Sequence, residues 1–193
     1  MKKIILLFSI IFFYFGSALA DKKIKPIHEG NIDAKVHIIV YESLTCIHCA
    51  HFHKDVYPKL KKDFIDNGLA KIEFRSFPLD ILALNASKIA HCRNDGKSKL
   101  LHLLYKNQKK WVKGKTIDDA NDNIKKIIEN NGFKLDINKC LNNKEIEDYI
   151  LEDRVEGVKK FKIEATPTLI INNKKFDKAL DYKNIKKFLE KLI

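Results

Sequence analysis

The stretch Val36-His37-Ile38-Ile39-Val40-Tyr41-Glu42-Ser43-Leu44-Thr45-Cys46-Ile47-His48-Cys49 decides how this chain folds. Its first six residues are almost continuously apolar and β-branched, the pattern of a central strand buried on both faces of a parallel sheet. Glu42 to Thr45 turn the chain. A helix is then expected from about Cys46 to Asp66, with an apolar stripe at Phe52, Val56, Leu60 and Phe64 and a stop at Asn67-Gly68. Pro58 should kink it. The two cysteines therefore fall where a strand gives way to a helix.

Outward from this point, Lys71 to Phe77 alternates and ends at Pro78, which reads as a second strand. A short helical crossover makes the two strands parallel, a β-α-β unit. A polar lead-in, residues 21–35, precedes it. From Asp80 to about Gly157 the periodicity is helical, with apolar residues three and four apart in several successive segments. Cys92 ends one of these, and Cys140 lies in the turn 138–142 before another. Strand signals return at Thr166-Pro167-Thr168-Leu169-Ile170-Ile171, where Asn172-Asn173 turns into Lys174-Lys175-Phe176 as a hairpin, and a last helix carries Ile185, Phe188, Leu189 and Leu192. The fold class is α/β with a helical insertion.

The chain has 193 residues, 45% of them hydrophobic and 32% charged, with 7 Gly and 4 Pro, which suits one compact domain rather than a disordered or fibrous chain. Its formal charge of +12 invites a nucleic-acid reading. Against that, Arg75, Arg93 and Arg154 are the only arginines, and the lysines are scattered among Asp, Glu and Asn. A solvated, lysine-rich surface is the reading adopted, and no nucleic-acid partner is expected. At the start, Lys2 and Lys3, an apolar run from Ile4 to Phe15, and Ala18-Leu19-Ala20 have the plan of a cleavable secretory leader, residues 1–20. Export to an oxidising compartment would allow disulfides among the four cysteines.

At a helix start, unpaired backbone N–H groups and the positive end of the helix dipole favour the Cys46 thiolate, which makes Cys46 both a nucleophile and a leaving group. Cys49, one turn on, can close a disulfide with it and should be the more buried. His48 between them could add a positive charge or a hydrogen bond to the thiolate. A C-x-x-C also ligates metals, and Cys46, Cys49 and a nearby histidine could hold copper or zinc. No second C-x-x-C follows, and His51 and His53 read as solvated helix residues, His53 pointing away from the face that carries Cys49. Redox chemistry is preferred, with no cofactor and no resident metal. Cys92 and Cys140 have no metal-ligand spacing, and in an oxidising compartment they would pair as a structural disulfide.

The chain resembles the DsbA family of exported thiol–disulfide oxidoreductases, most closely its alphaproteobacterial branch. The resemblance rests on Tyr41 to His53, Phe74-Arg75-Ser76-Phe77-Pro78-Leu79-Asp80, the stretch Gln108 to Trp111, and Ala165-Thr166-Pro167-Thr168. It implies a thioredoxin-like fold with an inserted helical domain: residues 21–79 and 158–193 form the thioredoxin-like part and 80–157 the insertion. It also implies that Pro167 is cis beside the cysteines and that the Thr166 backbone pairs with an extended substrate. The family usually has proline where this chain has Ile47, a position that tunes the potential. Many members carry a glutamate where this chain has Val40. Glu42, two residues on and on the same strand face, could stand in as proton acceptor for Cys49 or be exposed.

The chain is thus expected to be an exported, periplasmic, monomeric oxidase that donates the Cys46–Cys49 disulfide to reduced or unfolded proteins and is reoxidised by a quinone-linked membrane protein. The alternatives are a reductase or isomerase of the same fold, the isomerase usually carrying a separate dimerisation domain, or a copper-binding chaperone.

Overall fold

The protein is described by a computed structural model covering residues 24–193. The expected leader lies outside the described residues. The polar lead-in contains a strand, β1 (Ile27–Gly30). Its four residues bury only Ile27 fully and end on a glycine at φ 94°, so no alternation long enough to read is present. β2 (Val36–Glu42) and β3 (Ala70–Ser76) pair in parallel, with Val36 opposite Ala70 and Glu42 opposite Ser76. The sheet order is β1-β3-β2-β4-β5, where β4 is Thr168–Ile171 and β5 is Lys174–Lys175. β2 is the central strand, as its apolar run predicts. Asn172 and Asn173 both take positive φ, 46° and 64°, in the tight turn between β4 and β5.

The first helix, α1, spans 47–65 as α-helical turns Ile47–His51 and Tyr57–Leu60 alternating with π-helical turns Phe52–Val56 and Lys61–Ile65. Pro58 has no N–H to give, and the widened turn before it lets Tyr57 N–H reach the Phe52 carbonyl. The expected kink is thus taken up as a π-helical turn. Gly68, at φ 70°, follows the helix as the Asn-Gly stop predicts.

Six helices follow β3: α2 (Ile81–His91), α3 (Lys99–Lys106), α4 (Gln108–Trp111), α5 (Ile117–Asn130), α6 (Ile137–Leu141) and α7 (Lys144–Phe161). Cys140 sits in the short helix α6 rather than in a turn, because Asp136 caps it by accepting from Lys139 N–H. α7 continues through residue 157, and its last turn packs Phe161 on the sheet. The chain closes with α8 (Tyr182–Leu189).

Both faces of β2 are covered, which explains its continuous apolar reading. Val36, Ile38 and Val40 face one core with Phe52, Leu60 and Phe64 of α1 and with Leu100, Leu104 and Trp111. Ile39 and Tyr41 face a second with Phe77, Phe161, Ile163 and Ile170. Each fully buried large apolar side chain here contributes roughly 1.5–3 kcal/mol. α7 comes close enough that a Cβ on Gly157 would stand 2.9 Å from the Tyr41 ring. The three arginines are all engaged within the chain: Arg75 with Glu73 and Glu156, Arg93 with Asp95, and Arg154 over the Phe77 ring.

Candidate active site

The turn between β2 and α1 is held from three sides. Cys46 N–H donates to the Ser43 carbonyl at 3.0 Å, closing the turn. Thr45 Oγ1 donates to Asp80 Oδ2 at 2.8 Å, while the other oxygen of Asp80 caps α2 by accepting from Ala83 N–H. From the helical layer, the buried Gln108 amide donates to the carbonyls of Leu44 and Cys46 at 2.8 and 2.9 Å. The Leu44 carbonyl sits just before the helix start without a main-chain donor, so a side-chain donor must satisfy it, whereas the Cys46 carbonyl also accepts from Ala50 N–H at 3.2 Å. The motif around Gln108 carried a family resemblance in the sequence, but nothing local to it disclosed this role. Replacing Gln108 with leucine is expected to cost about 1–3 kcal/mol in thermal unfolding and to slow the alkylation of Cys46. A melt and an alkylation rate both equal to wild type would refute the clamp.

Cys46 caps α1: its Sγ accepts from Cys49 N–H at 3.4 Å. Hydrogen bonding from the Cys49 thiol has the largest effect on it, ahead of the opposing effect of burial. Thr166 and the main-chain N–H groups of Cys49 and His48 add to that bond, and Cys46 is held down at about 5. Cys49 is fully buried, and burial, the bond to Cys46 and the Glu42 charge drive it far above the ordinary thiol range. One thiol is therefore an anion at neutral pH and the other a proton carrier. Cys46 Sγ also lies 3.3 Å from the Thr166 carbonyl, and the Thr166–Pro167 peptide bond is cis.

The site brings together Cys46, Cys49, Thr166 and Pro167, with Glu42 buried nearby. His48 is different: its ring is exposed, stacked edge-on to His51, and it meets Cys46 through its main-chain N–H. Ile47 is exposed, as are Leu79 and Ile81 near the Thr45–Asp80 tie. His53 corrects the sequence reading. It is buried, its Nε2 lies 2.7 Å from Glu42 Oε2, and its ring stacks on Tyr105 at 3.9 Å. The π-helical turn that begins at Phe52 rotates it inward, away from where a regular 3.6-residue period places it. Among the described residues no three His, Cys, Asp or Glu side chains converge as a metal-ligand set. Cys92 and Cys140 are disulfide-bonded, with Cα atoms 5.3 Å apart.

A cavity of about 1050 Å³ opens beside α1, lined by Glu29, Ile47, Ala50, Tyr57, His102 and Gln108 among others, with seven lysines around it. Cys46, His48, Thr166 and Pro167 do not line it.

The family model described as Thioredoxin matches residues 22–191. In structure the chain is similar to Wolbachia pipientis alpha-DsbA1, with a TM-score of 0.78 at 29% identity over 86% of this chain and 90% of that one. In sequence it is 29% identical over 171 residues to Disulfide bond formation protein D of Bacillus subtilis, covering 84% of this chain and 74% of that protein. A Rickettsia bellii protein named "Putative protein-disulfide oxidoreductase" is 29% identical over 147 residues, 74% of this chain and 55% of that protein. The chain thus spans little more than half the length of this Rickettsia relative. The cysteine pair at the strand-to-helix turn, the Thr166–Pro167 step beside it and the helical insertion between β3 and β4 agree with these DsbA-like likenesses, and the chain belongs to the thioredoxin family.

Proposed function

We propose that this chain is an exported thiol–disulfide oxidoreductase that donates the Cys46–Cys49 disulfide to reduced proteins. The opposite environments of its two cysteines carry the reading. A substrate thiolate attacks Cys46 Sγ, and Cys49 leaves as a thiolate that takes up one proton. A second substrate thiolate then attacks the substrate sulfur of the mixed disulfide and expels Cys46 as the stable thiolate. The substrate loses two electrons and the Cys46–Cys49 pair gains them. Thr166 offers its backbone to an extended substrate strand, with Pro167 fixing that edge and the exposed Ile47, Leu79 and Ile81 giving an apolar surface for unfolded chains. Glu42 exchanges the proton of Cys49. Reoxidation by a quinone-linked membrane protein, work as a monomer and a periplasmic location complete the reading. No helix among the described residues is long and apolar enough to cross a membrane.

Oxidised protein mixed with a reduced, unfolded protein is expected to transfer its disulfide, and Cys49→Ser, once treated to form a mixed disulfide at Cys46, should hold that complex. Absence of both transfer and complex would falsify the assignment. Equilibration against glutathione sets the direction: a potential near about −120 mV makes the protein an oxidase, and one near about −270 mV a reductase.

A further inference from the structure

Four side chains from four elements form an unbroken line of hydrogen bonds, and the charge at its inner end, Glu42, acts on Cys49. Glu42 Oε2 of β2 lies 2.7 Å from His53 Nε2 of α1, His53 Nδ1 lies 3.1 Å from His102 Nδ1 of α3, and His102 Nε2 lies 2.8 Å from Glu29 Oε1 of β1. The inner pair, His53 and Glu42, has side-chain exposures of 4% and 3%, whereas His102 and Glu29 reach solvent at 26% and 16%. The inner end, Glu42 Oε1, is buried with no hydrogen-bond partner, as is the Tyr105 hydroxyl. His53, His102 and Glu29 line the large cavity, and Glu42 does not.

The geometry limits where hydrogen can sit: the two Nδ1 atoms face each other across 3.1 Å, a gap that admits one hydrogen, and each Nε2–carboxyl contact also admits one, carried by the ring or by the carboxyl. Around them, Ser98 and Tyr57 also donate to Glu29, and Lys61 Nζ stands 3.5 Å from it. Burial pushes Glu29 up, but hydrogen bonds from His102, Ser98 and Tyr57 outweigh it and hold its carboxyl at about 2.

We propose that Glu42, His53, His102 and Glu29 are a proton relay that links Cys49 to the cavity beside α1, apart from the surface where substrate meets Cys46. This rests on the exchange reading above and deepens it. When Cys49 must lose its proton to attack a mixed disulfide at Cys46, the thiol passes it to Glu42. With hydrogen at the outset on Glu42 Oε2, His53 Nδ1 and His102 Nε2, the thiol proton arriving at Glu42 Oε1 drives three hops outward: Glu42 Oε2 to His53 Nε2, His53 Nδ1 to His102 Nδ1, and His102 Nε2 to Glu29 or solvent. One proton enters and one leaves, each ring changes from one neutral tautomer to the other, and a transfer in the reverse direction restores the first. In the opposite direction the same line supplies the proton that the departing Cys49 thiolate takes up. A substrate joined to Cys46 covers the face carrying Thr166 and Pro167, so a second opening keeps proton exchange possible while the mixed disulfide persists.

The test measures the release of glutathione by Cys49 from the mixed disulfide that oxidised glutathione forms at Cys46 of the reduced protein, with acid quenching between pH 6 and 9. His102→Asn, which hydrogen-bonds but cannot pass a proton through a ring, is expected to slow this release about tenfold or more near neutral pH while mixed-disulfide formation keeps its rate. Added imidazole should restore His102→Ala, and Glu29→Gln should show the same defect from the outer end. Release within twofold of wild type in both His102→Asn and Glu29→Gln overturns the relay, as does a slow His102→Ala that imidazole leaves unchanged. If the wild type forms no mixed disulfide with glutathione, the exchange reading itself fails.

Discussion

Reduced protein is expected to melt several degrees above oxidised protein at pH 7, and the gap should close as the pH falls to about 5. Cys46 drops from an ordinary value of 9.0 to about 5 in the folded, reduced state. An acid whose folded pKa is depressed contributes stability fully above its unfolded pKa and loses it as the pH falls through the folded one. The window therefore runs from about 9 down to about 5, with pH 7 in its middle. Cys46 is partly exposed, so solvent screening reduces the effect at pH 7 to on the order of 1–2 kcal/mol, or roughly 2–4 °C per kcal/mol. The disulfide form has no thiolate to stabilise. Glu29, Glu73, His91 and Asp153 also titrate away from their ordinary values, but they are common to both redox forms and cancel in the difference. Melting curves of the two forms at pH 5, 6, 7 and 8 check this. An oxidised form equal to or above the reduced one at pH 7 and 8 would remove the thiolate's part in driving disulfide donation.

Removing the second disulfide should produce the larger stability loss. Cys92 and Cys140 are 48 residues apart, and the bond ties the end of α2 to α6 across α3, α4 and α5. Restricting a loop of this length in the unfolded chain contributes about 3–4 kcal/mol. Cys140 is also fully buried, so an alanine there leaves unfilled space. A double variant, Cys92→Ala with Cys140→Ala, is expected to lose on the order of 10 °C in Tm while the Cys46 thiolate, followed by its ultraviolet absorbance, titrates as before. A Tm within a degree or two of the wild type would show that the helical layer is held by packing alone.

Features that depend on one stretch of chain were legible in the sequence. The β2 run, the Asn67-Gly68 stop, the Asn172-Asn173 turn and the position of Cys46 at a helix start each derive from neighbouring residues. β1 was hidden because an edge strand of four residues with half-buried polar side chains carries no pattern of its own. His53 was misplaced because a regular helical period was carried through a π-helical turn. Gln108 and Glu29 reach the site from distant segments, and their roles depend on which carbonyls and imidazoles the tertiary fold sets before them. Glu42 stood between two readings until the fold buried it against His53.

The Gln108 clamp has a consequence for how this protein can be re-engineered. The cysteine turn belongs in sequence to the thioredoxin-like part, yet two of its carbonyls accept from a helix of the insertion, and the Leu44 carbonyl has its donor only there. The two parts are therefore not interchangeable modules. A chimera that takes its helical layer from a relative inherits a working cysteine turn only if the transplanted helix brings an amide to the same spot.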